Sequence, residues 1–374
     1  MVLQLRIEKV VHGGLFLARD EGKVILVSGA LPGELVEAVV VEEKKSFSLA
    51  NVVKVLEPSP QRVVSVGQVL GRAAGSIDYG HANLDYQRQL KGEVLKEALA
   101  RTSRIDWDLE IRPADQSGLA YRTRIQLHAD DKGRLGVRVP RSHDHVRIQS
   151  HPLAVEAINS SAALTERYEP GSRVSIACDS DSQVLTDSEN GLLTQRAGER
   201  KFRITPKVFW QAHYAAPQLL VTHVLESLGE VGSEVLDLYA GAGLFAANIA
   251  QAHPTGQVLA VESSKDATGC GVSSGADLAN LRFETSDVLR YLRARTQEID
   301  VVVVDPPRSG ASGKVIAELI RLGARRIIYV ACDPVALARD LGTLVAAGYK
   351  IEEITGFDIF PQTHHFETVA TLSK

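Results

Sequence analysis

Asp237-Leu238-Tyr239-Ala240-Gly241-Ala242-Gly243-Leu244-Phe245 is the stretch on which the fold turns. An apolar run ends beside an acid, two glycines follow, and a helical pattern opens directly behind them. Glycine lets a backbone turn sharply and approach a ligand, and the first N–H groups of a helix are free to bind one. This strand–turn–helix belongs to an alternating series. A helical pattern at 216–228 precedes it, and patterns at 243–252, 287–294, 313–322 and 335–346 alternate with apolar runs at 257–262, 281–285, 300–304 and 326–330. Strands separated by helices predict an α/β, parallel, doubly wound, Rossmann-like sheet. The last two strands, 349–359 and 367–372, are joined by a short segment, which predicts an antiparallel hairpin at the sheet edge. Ligands of such sheets bind beyond the carboxyl ends of the strands.

Upstream the pattern is different. Short β-type runs at 3–11, 23–27, 34–41 and 48–56 are separated by turn signals at Gly13-Gly14, 20–22 and Leu31-Pro32-Gly33. They predict a small OB-like barrel over residues 1–60, closed off by Pro58-Ser59-Pro60. Residues 61–205 read as a central α+β block. Its helical pattern at 84–101 is placed to pack on the C-terminal unit, residues 206–374, and strands are expected at 122–127, 136–139, 174–177 and 192–194.

The 374 residues are 44% hydrophobic and 24% charged, an ordinary globular composition. No apolar run is long enough to span a bilayer and no signal peptide opens the chain, so no membrane partner and a cytoplasmic location are expected. Three cysteines, Cys178, Cys270 and Cys332, are too few and too scattered for a disulfide framework or a metal knuckle. The net charge of −4 divides unevenly along the chain: residues 206–374 are acidic, whereas 119–150 carry seven Arg/Lys against three Asp. That cluster permits contact with a phosphate backbone without establishing it. No oligomerisation stripe is visible, so a monomer is expected.

The chemistry-bearing residues fall at strand ends. Glu262 closes the strand after the glycine loop, where an acid can take two ribose hydroxyls, and Asp287 follows the next strand, where it can receive an adenine amino group. Residues 241–246 alone also fit a dinucleotide fingerprint. Asp237, four residues before the first glycine, favours S-adenosylmethionine, whose cationic amino-acid portion offers no phosphate to cradle. Asp305-Pro306-Pro307-Arg308-Ser309-Gly310 ends a very hydrophobic strand in a stiff loop. Ala331-Cys332-Asp333-Pro334 puts a thiol at the rim with a helix behind it, a position expected to favour the thiolate. Phe360-Pro361-Gln362-Thr363-His364-His365-Phe366-Glu367 turns into the final strand. A thiol, carboxylates and histidines thus converge on one rim.

In combination and in this order, residues 237–245, 305–310, 331–334 and 360–367 resemble the RNA (uracil-5-)methyltransferases, which make 5-methyluridine in rRNA and tRNA. The first 60 residues are similar to that family's TRAM domain, and Ala120-Tyr121-Arg122-Thr123-Arg124 to its central domain. The resemblance implies a class I methyltransferase fold and Cys332 as the nucleophile that adds to uracil C6. It also implies Glu367 as the base that removes the C5 proton and Asp305 as the group holding the uracil edge. Gln211, Asp237, Tyr239, Gly241, Gly243, Glu262, Asp287 and Asp305 become the S-adenosylmethionine set. Phe209, Arg122, Arg124, Arg308 and His365 become the RNA-facing set, with the target base flipped or single-stranded. Barrel-bearing members favour 23S rRNA over tRNA as the substrate.

Two departures stand out. Many members carry a four-cysteine iron–sulfur cluster, but the corresponding residues 72–77 hold no cysteine, so no cluster is expected and Cys178 and Cys270 read as structural. Asp333 stands where the family often has Asn, and its charge opposes thiolate formation unless it is held away or paired. Competing readings fit less well. An adenine or guanine amino methyltransferase prefers an aromatic residue where Arg308 stands, a nicotinamide dehydrogenase leaves the thiol unexplained, and a non-catalytic RNA-binding module needs neither Cys332 nor Glu367.

Overall fold

The computed structural model describes residues 2–67, 77–138, 145–232 and 234–374. Residues 72–76 of the stretch read as lacking cluster cysteines, with Arg141 and His143 of the basic segment 119–150, lie outside the described residues. The amino-terminal sheet consists of β1 (Val2–Arg6), β2 (Lys9–Val11), β3 (Leu15–Asp20), β4 (Lys23–Ser28), β5 (Leu35–Glu43) and β6 (Phe47–Glu57). Its order is β1-β5-β6-β4-β3-β2. β1 pairs with β5 and β2 with β3, so a single bent strand closes the sheet on itself as an OB-like barrel. β3 is absent from the sequence-based strand set. It is short and sits between glycine turns, and only Phe16 and Ala18 point fully inward.

The central part holds a sheet ordered β10-β9-β8-β11-β12 and a separate hairpin, β13-β14. Before it comes α1 (Leu84–Ser103), capped by Asn83, followed by β7 (Ile111–Pro113). The sheet comprises β8 (Arg124–Ala129), β9 (Leu135–Arg138), β10 (His145–Arg147), β11 (Arg173–Cys178) and β12 (Val184–Thr186), with α2 (Glu156–Asn159) beside it. The hairpin is β13 (Leu193–Ala197) and β14 (Arg200–Ile204).

The carboxyl-terminal unit runs α3 (Ala216–Ser227), β15 (Glu234–Leu238), α4 (Leu244–Ala252), β16 (Gln257–Glu262), α5 (Lys265–Ser274) and β17 (Leu281–Thr285). It continues with α6 (Val288–Ala294), β18 (Val301–Val304), α7 (Ser312–Arg321), β19 (Arg326–Ala331), α8 (Pro334–Ala346), β20 (Lys350–Asp358) and β21 (Glu367–Ser373). The eight strands are ordered β17-β16-β15-β18-β19-β21-β20-β7. Parallel pairing of β15 with both β16 and β18 makes β15/β18 the switch point where the winding reverses. Val301–Val304 is buried throughout, as a central strand covered on both faces requires.

Two expectations need correction. β20 and β21 do pair antiparallel, but β21 inserts between β19 and β20 instead of lying at the edge. β7, contributed by the chain before the central sheet, then adds in parallel outside β20. α5 has no counterpart in the sequence reading, because Lys-Asp-Ala-Thr-Gly-Cys-Gly-Val-Ser-Ser lacks an apolar stripe. Its start is set by Ser264, whose Oγ accepts from the Ala267 N–H at 3.3 Å.

α1 ties the parts together. Leu90 and Val94 bury in the barrel core, while Leu95, Ala98 and Leu99 join the core on one face of the large sheet. The approach to α8 is so close that a Cβ on Gly342 would stand 2.7 Å from Ser103 Cβ. Between these faces Lys91 is fully buried, its Nζ 2.5 Å from Asp358 Oδ1 and donating to the Phe360 carbonyl at 3.1 Å. Removing one member of a buried pair leaves an uncompensated charge. Lys91→Met is therefore expected to lower unfolding free energy in urea by about 3–5 kcal/mol. Lys91→Met combined with Asp358→Leu is expected to recover most of that loss.

Candidate active site

The site is built at the carboxyl ends of β15, β18 and β19 and the start of β21. Asp237 is completely buried near the end of β15. Its Oδ2 accepts from the Ala246 N–H at 2.8 Å, and its Oδ1 is buried with no partner among the described residues. Burial, with Asp305 and Glu262 nearby, pushes this carboxyl up to about 8 against the pull of that hydrogen bond. The chain then turns through Tyr239 at φ +62° and Gly241 at φ +55° to Gly243, the N-cap of α4, at φ +81°. A Cβ on Gly243 would also stand 2.6 Å from the Phe283 ring. Glu262 supports the turn, its Oε2 accepting from the Gly241 N–H at 3.0 Å and its Oε1 from the Ser264 N–H at 2.7 Å. Asp287 caps α6 through the Arg290 N–H and remains exposed.

A small cavity beside this turn is shared by Phe209, Gln211, Tyr239, Gly241 and Asp305. It brings together the segment before α3, the glycine turn and the end of β18. Its polar side chains are Gln211, Tyr239 and one acid, Asp305. One carboxyl and no cation in this lining suit a cationic group better than a pyrophosphate.

The thiol lies one strand further on. Ala331 pairs with Thr368, so Cys332 and Glu367 are the next residues on neighbouring strands. Glu367 is buried, and burial together with Asp305 holds its carboxyl well above the ordinary range, with Arg308 opposing. Asp305, half-buried, is pushed up to about 7 by burial. Burial, then Glu367 and Asp305, push Cys332 up to about 12, again with Arg308 opposing. The expectation that the helix start favours the thiolate is thus not met in this site. Burial and the two carboxylates are the reason; Asp333 caps α8, its Oδ1 accepting from the Val335 and Ala336 N–H groups at 3.0 and 2.8 Å. Its Oδ2 lies 3.2 Å from His12 Nε2 on the barrel turn.

The loop 359–366 is clamped from several directions. Tyr121 Oη donates to the Pro361 carbonyl at 3.0 Å, the Tyr79 N–H donates to the Gln362 carbonyl at 3.0 Å, and the Gln362 N–H donates to Gln87 Oε1 at 2.7 Å. His364 Nδ1 lies 2.6 Å from Asp78 Oδ2. The His365 ring lies tilted against His364 with centroids 3.9 Å apart, and burial, His364 and the cations Arg308, Arg122 and Lys91 hold it neutral, down to about 3. Arg122 lies 5.9 Å over both the Tyr121 and Phe360 rings, and Arg308 is exposed. Arg124 is corrected: its guanidinium is turned inward, donating to the Val208 carbonyl at 2.6 Å and the Pro206 carbonyl at 3.3 Å. It positions the 206–211 segment instead of presenting a charge to a phosphate. Burial pushes it down to about 10. Cys178 is buried in the central core and Cys270 half-buried on α5, both away from the rim.

Sequence reasoning missed Lys91, Gln87, Asp78 and His12, because each reaches the site from another part of the chain and carries no local signature. The signal at Gly13-Gly14 marked a turn and nothing about its neighbour His364, whose Nδ1 would lie 3.0 Å from a Cβ on Gly14.

The family model for tRNA (uracil-5-)methyltransferases matches residues 182–374, and the chain belongs to this family. An uncharacterised RNA methyltransferase of Streptomyces coelicolor is 37% identical over 99% of this chain and 92% of its own length. Another from Thermotoga maritima is 30% identical over 100% of this chain and 97% of its length. The fold is similar to the crystal structure of Pyrococcus abyssi tRNA (uracil-54, C5)-methyltransferase in complex with S-adenosyl-L-homocysteine, with a TM-score of 0.76 and 22% identity over 98% of this chain and 99% of that one. The chain is accordingly an RNA methyltransferase of the class I fold, a family whose methyl donor is S-adenosylmethionine. Among the described residues no helix is long and apolar enough to cross a membrane.

A thiol with raised proton affinity is alkylated as its thiolate, whose fraction grows tenfold per pH unit below the pKa. Iodoacetamide labelling of Cys332, followed by peptide mass spectrometry, is expected to be still accelerating at pH 9. Arg308→Gln removes the cation that opposes the shift, and is expected to slow labelling at pH 8 by about three- to tenfold.

Proposed function

We propose that this chain methylates C5 of uridine in RNA through a covalent adduct between Cys332 and uracil C6. The observation that carries this reading is the meeting of Cys332, Glu367 and Asp305 on one rim, beside the cavity framed by Gln211 and the glycine turn. Gln211, Asp237, Tyr239, Gly241, Gly243, Glu262, Asp287 and Asp305 are the residues that would hold S-adenosylmethionine, which supplies an electrophilic methyl group when bound.

The residues of the chain do the rest. Cys332 Sγ gives up its proton and adds to C6, which moves electron density onto C5 and O4. Asp305, pushed up to about 7, can take the thiol proton near neutral pH, and Glu367 enters the later step as the carboxylate. Asp305 orients the uracil edge. After C5 is methylated, Glu367 removes the C5 proton, the electrons of that bond restore the 5,6-double bond, and the C6–S bond breaks to release the thiolate. Phe209, Arg122, Arg308 and His365 face the RNA, which presents the uridine flipped or unpaired. The chain acts as a monomer.

For the RNA itself, 23S rRNA is the reading that the barrel favours. The names of the family model and of the archaeal structure favour tRNA, and that archaeal fold matches nearly the whole chain, barrel included. Methylation of 23S rRNA and tRNA transcripts side by side decides between them.

With 5-fluorouridine in the RNA, the C5 substituent cannot leave as a proton, so the adduct accumulates. The wild-type protein with S-adenosylmethionine is expected to give a retarded band on a denaturing gel. Cys332→Ala is expected to give none and to lose methylation. Glu367→Gln is expected to form the adduct on ordinary RNA and turn over about 10²- to 10⁴-fold more slowly. Methylation retained by Cys332→Ala is incompatible with this chemistry.

A further inference from the structure

The chain contains two Trp, nine Tyr and nine Phe. All lie among the described residues, yet only two are exposed: Phe209 at 69% and Tyr214 at 53%. They stand five residues apart on the segment that enters α3, and Lys207, also exposed, precedes them. Large rings left in water on one short segment mark an interaction surface more strongly than scattered aliphatic residues do.

Tyr214 is rigidly presented. Its N–H donates to the Tyr121 carbonyl at 3.1 Å, and its ring lies 4.9 Å from that of His213. His213 in turn stacks on Tyr121 at 4.8 Å and is held by Asp115 Oδ2 at 2.9 Å. Tyr121 donates to the catalytic loop at Pro361. A column of rings therefore runs from the loop that leads to Glu367 out to the surface, and Tyr214 is its exposed end. Beside that ring opens a cavity of 280 Å³ whose polar lining includes Ser182, Gln195, Arg196 and Gln211 with Glu156 and Asp179. Gln195 is buried, and its Nε2 donates to the Cys178 carbonyl at 3.1 Å. Gln211 also lines the cavity at the glycine turn, so the two spaces adjoin.

We propose that Tyr214 is a second stacking platform, taking an unstacked base of the RNA that flanks the target uridine, with the polar cavity receiving that base's edge. The proposal rests on the RNA uridine reading above. An exposed ring beside hydrogen-bonding side chains is what single-stranded bases recognise, and every base offers a π-face, so the platform tolerates sequence while fixing the register of the strand.

The test uses the full chain and a fluorescein-labelled pool of single-stranded decaribonucleotides of random sequence, followed by anisotropy. Tyr214→Ala and Tyr214→Leu are expected to weaken binding by about 5- to 150-fold, with Tyr214→Phe within twofold of wild type and S-adenosylmethionine affinity unchanged. Tyr214→Trp keeps a ring at the site, and its added emission is expected to change when the RNA binds, beyond any change in wild type. Melting temperatures of all four variants establish that they are folded. Wild-type affinity in folded Tyr214→Ala, equal weakening by the Phe and Ala variants, or an added emission in Tyr214→Trp that does not respond to RNA each overturns the platform. Failure of the wild-type protein to bind any RNA overturns instead the reading on which it rests.

Discussion

The ion pair between Lys91 and Asp358 is the constraint on which the rest of this structure depends. A lysine on the helix shared by the barrel and the large sheet reaches a carboxylate at the end of β20. The same ammonium holds the Phe360 carbonyl. Because β21 lies inside the sheet, the loop 359–366 has to cross the rim of the cleft before it re-enters beside β19. Its far end is Glu367, so any freedom in the loop becomes freedom of the proposed base. Gln87, Tyr79, Tyr121 and Asp78 pin the remaining positions, and each comes from outside the carboxyl-terminal unit. The parts of the chain that precede the glycine loop are therefore components of the site as well as its neighbours.

The second consequence is electrostatic. Asp237, Asp305, Glu367 and the Cys332 thiol lie close together; Asp305 raises the cost of charge on the other three, and Glu367 raises it on the thiol. The resting site is one in which protons are held tightly and moved locally. Asp333 fits the same logic. Placed beside the sulfur it would add one more negative charge, but capping α8 and contact with His12 occupy both of its oxygens. A barrel turn thereby reaches the Asp333 carboxylate.

The alternation of strands and helices, the glycine turn and the strand-end motifs were legible in the sequence because each is a local signal: period, turn chemistry, and acids or a thiol next to proline or glycine. Their convergence followed from the rule that parallel strands present their carboxyl ends together. Three things were not legible. β21 inserts inside the sheet because its partners are chosen by long-range pairing, and a short connection looks the same in either topology. α5 forms although its glycines and serines carry no apolar stripe; its N-cap and the cover it gives to β14 and β17 compensate. Arg124 read as an RNA contact through the family resemblance, and only the packed structure turns it inward to the carbonyls of 206 and 208. Lys91 illustrates the limit in the other direction, since a lysine on a helix is ordinarily a solvated charge and nothing near it in sequence announces Asp358.

Carbon methylation at uridine C5 is the chemistry proposed for this rim. The most direct measurement is nucleoside mass spectrometry of RNA incubated with the protein and S-adenosylmethionine carrying a trideuterated methyl group. The expected product is 5-methyluridine bearing all three deuterons, since C5 gives up its own proton and the methyl transfers intact. A deuterated methyl found on an adenine or guanine amino group, with none on uridine, would contradict it.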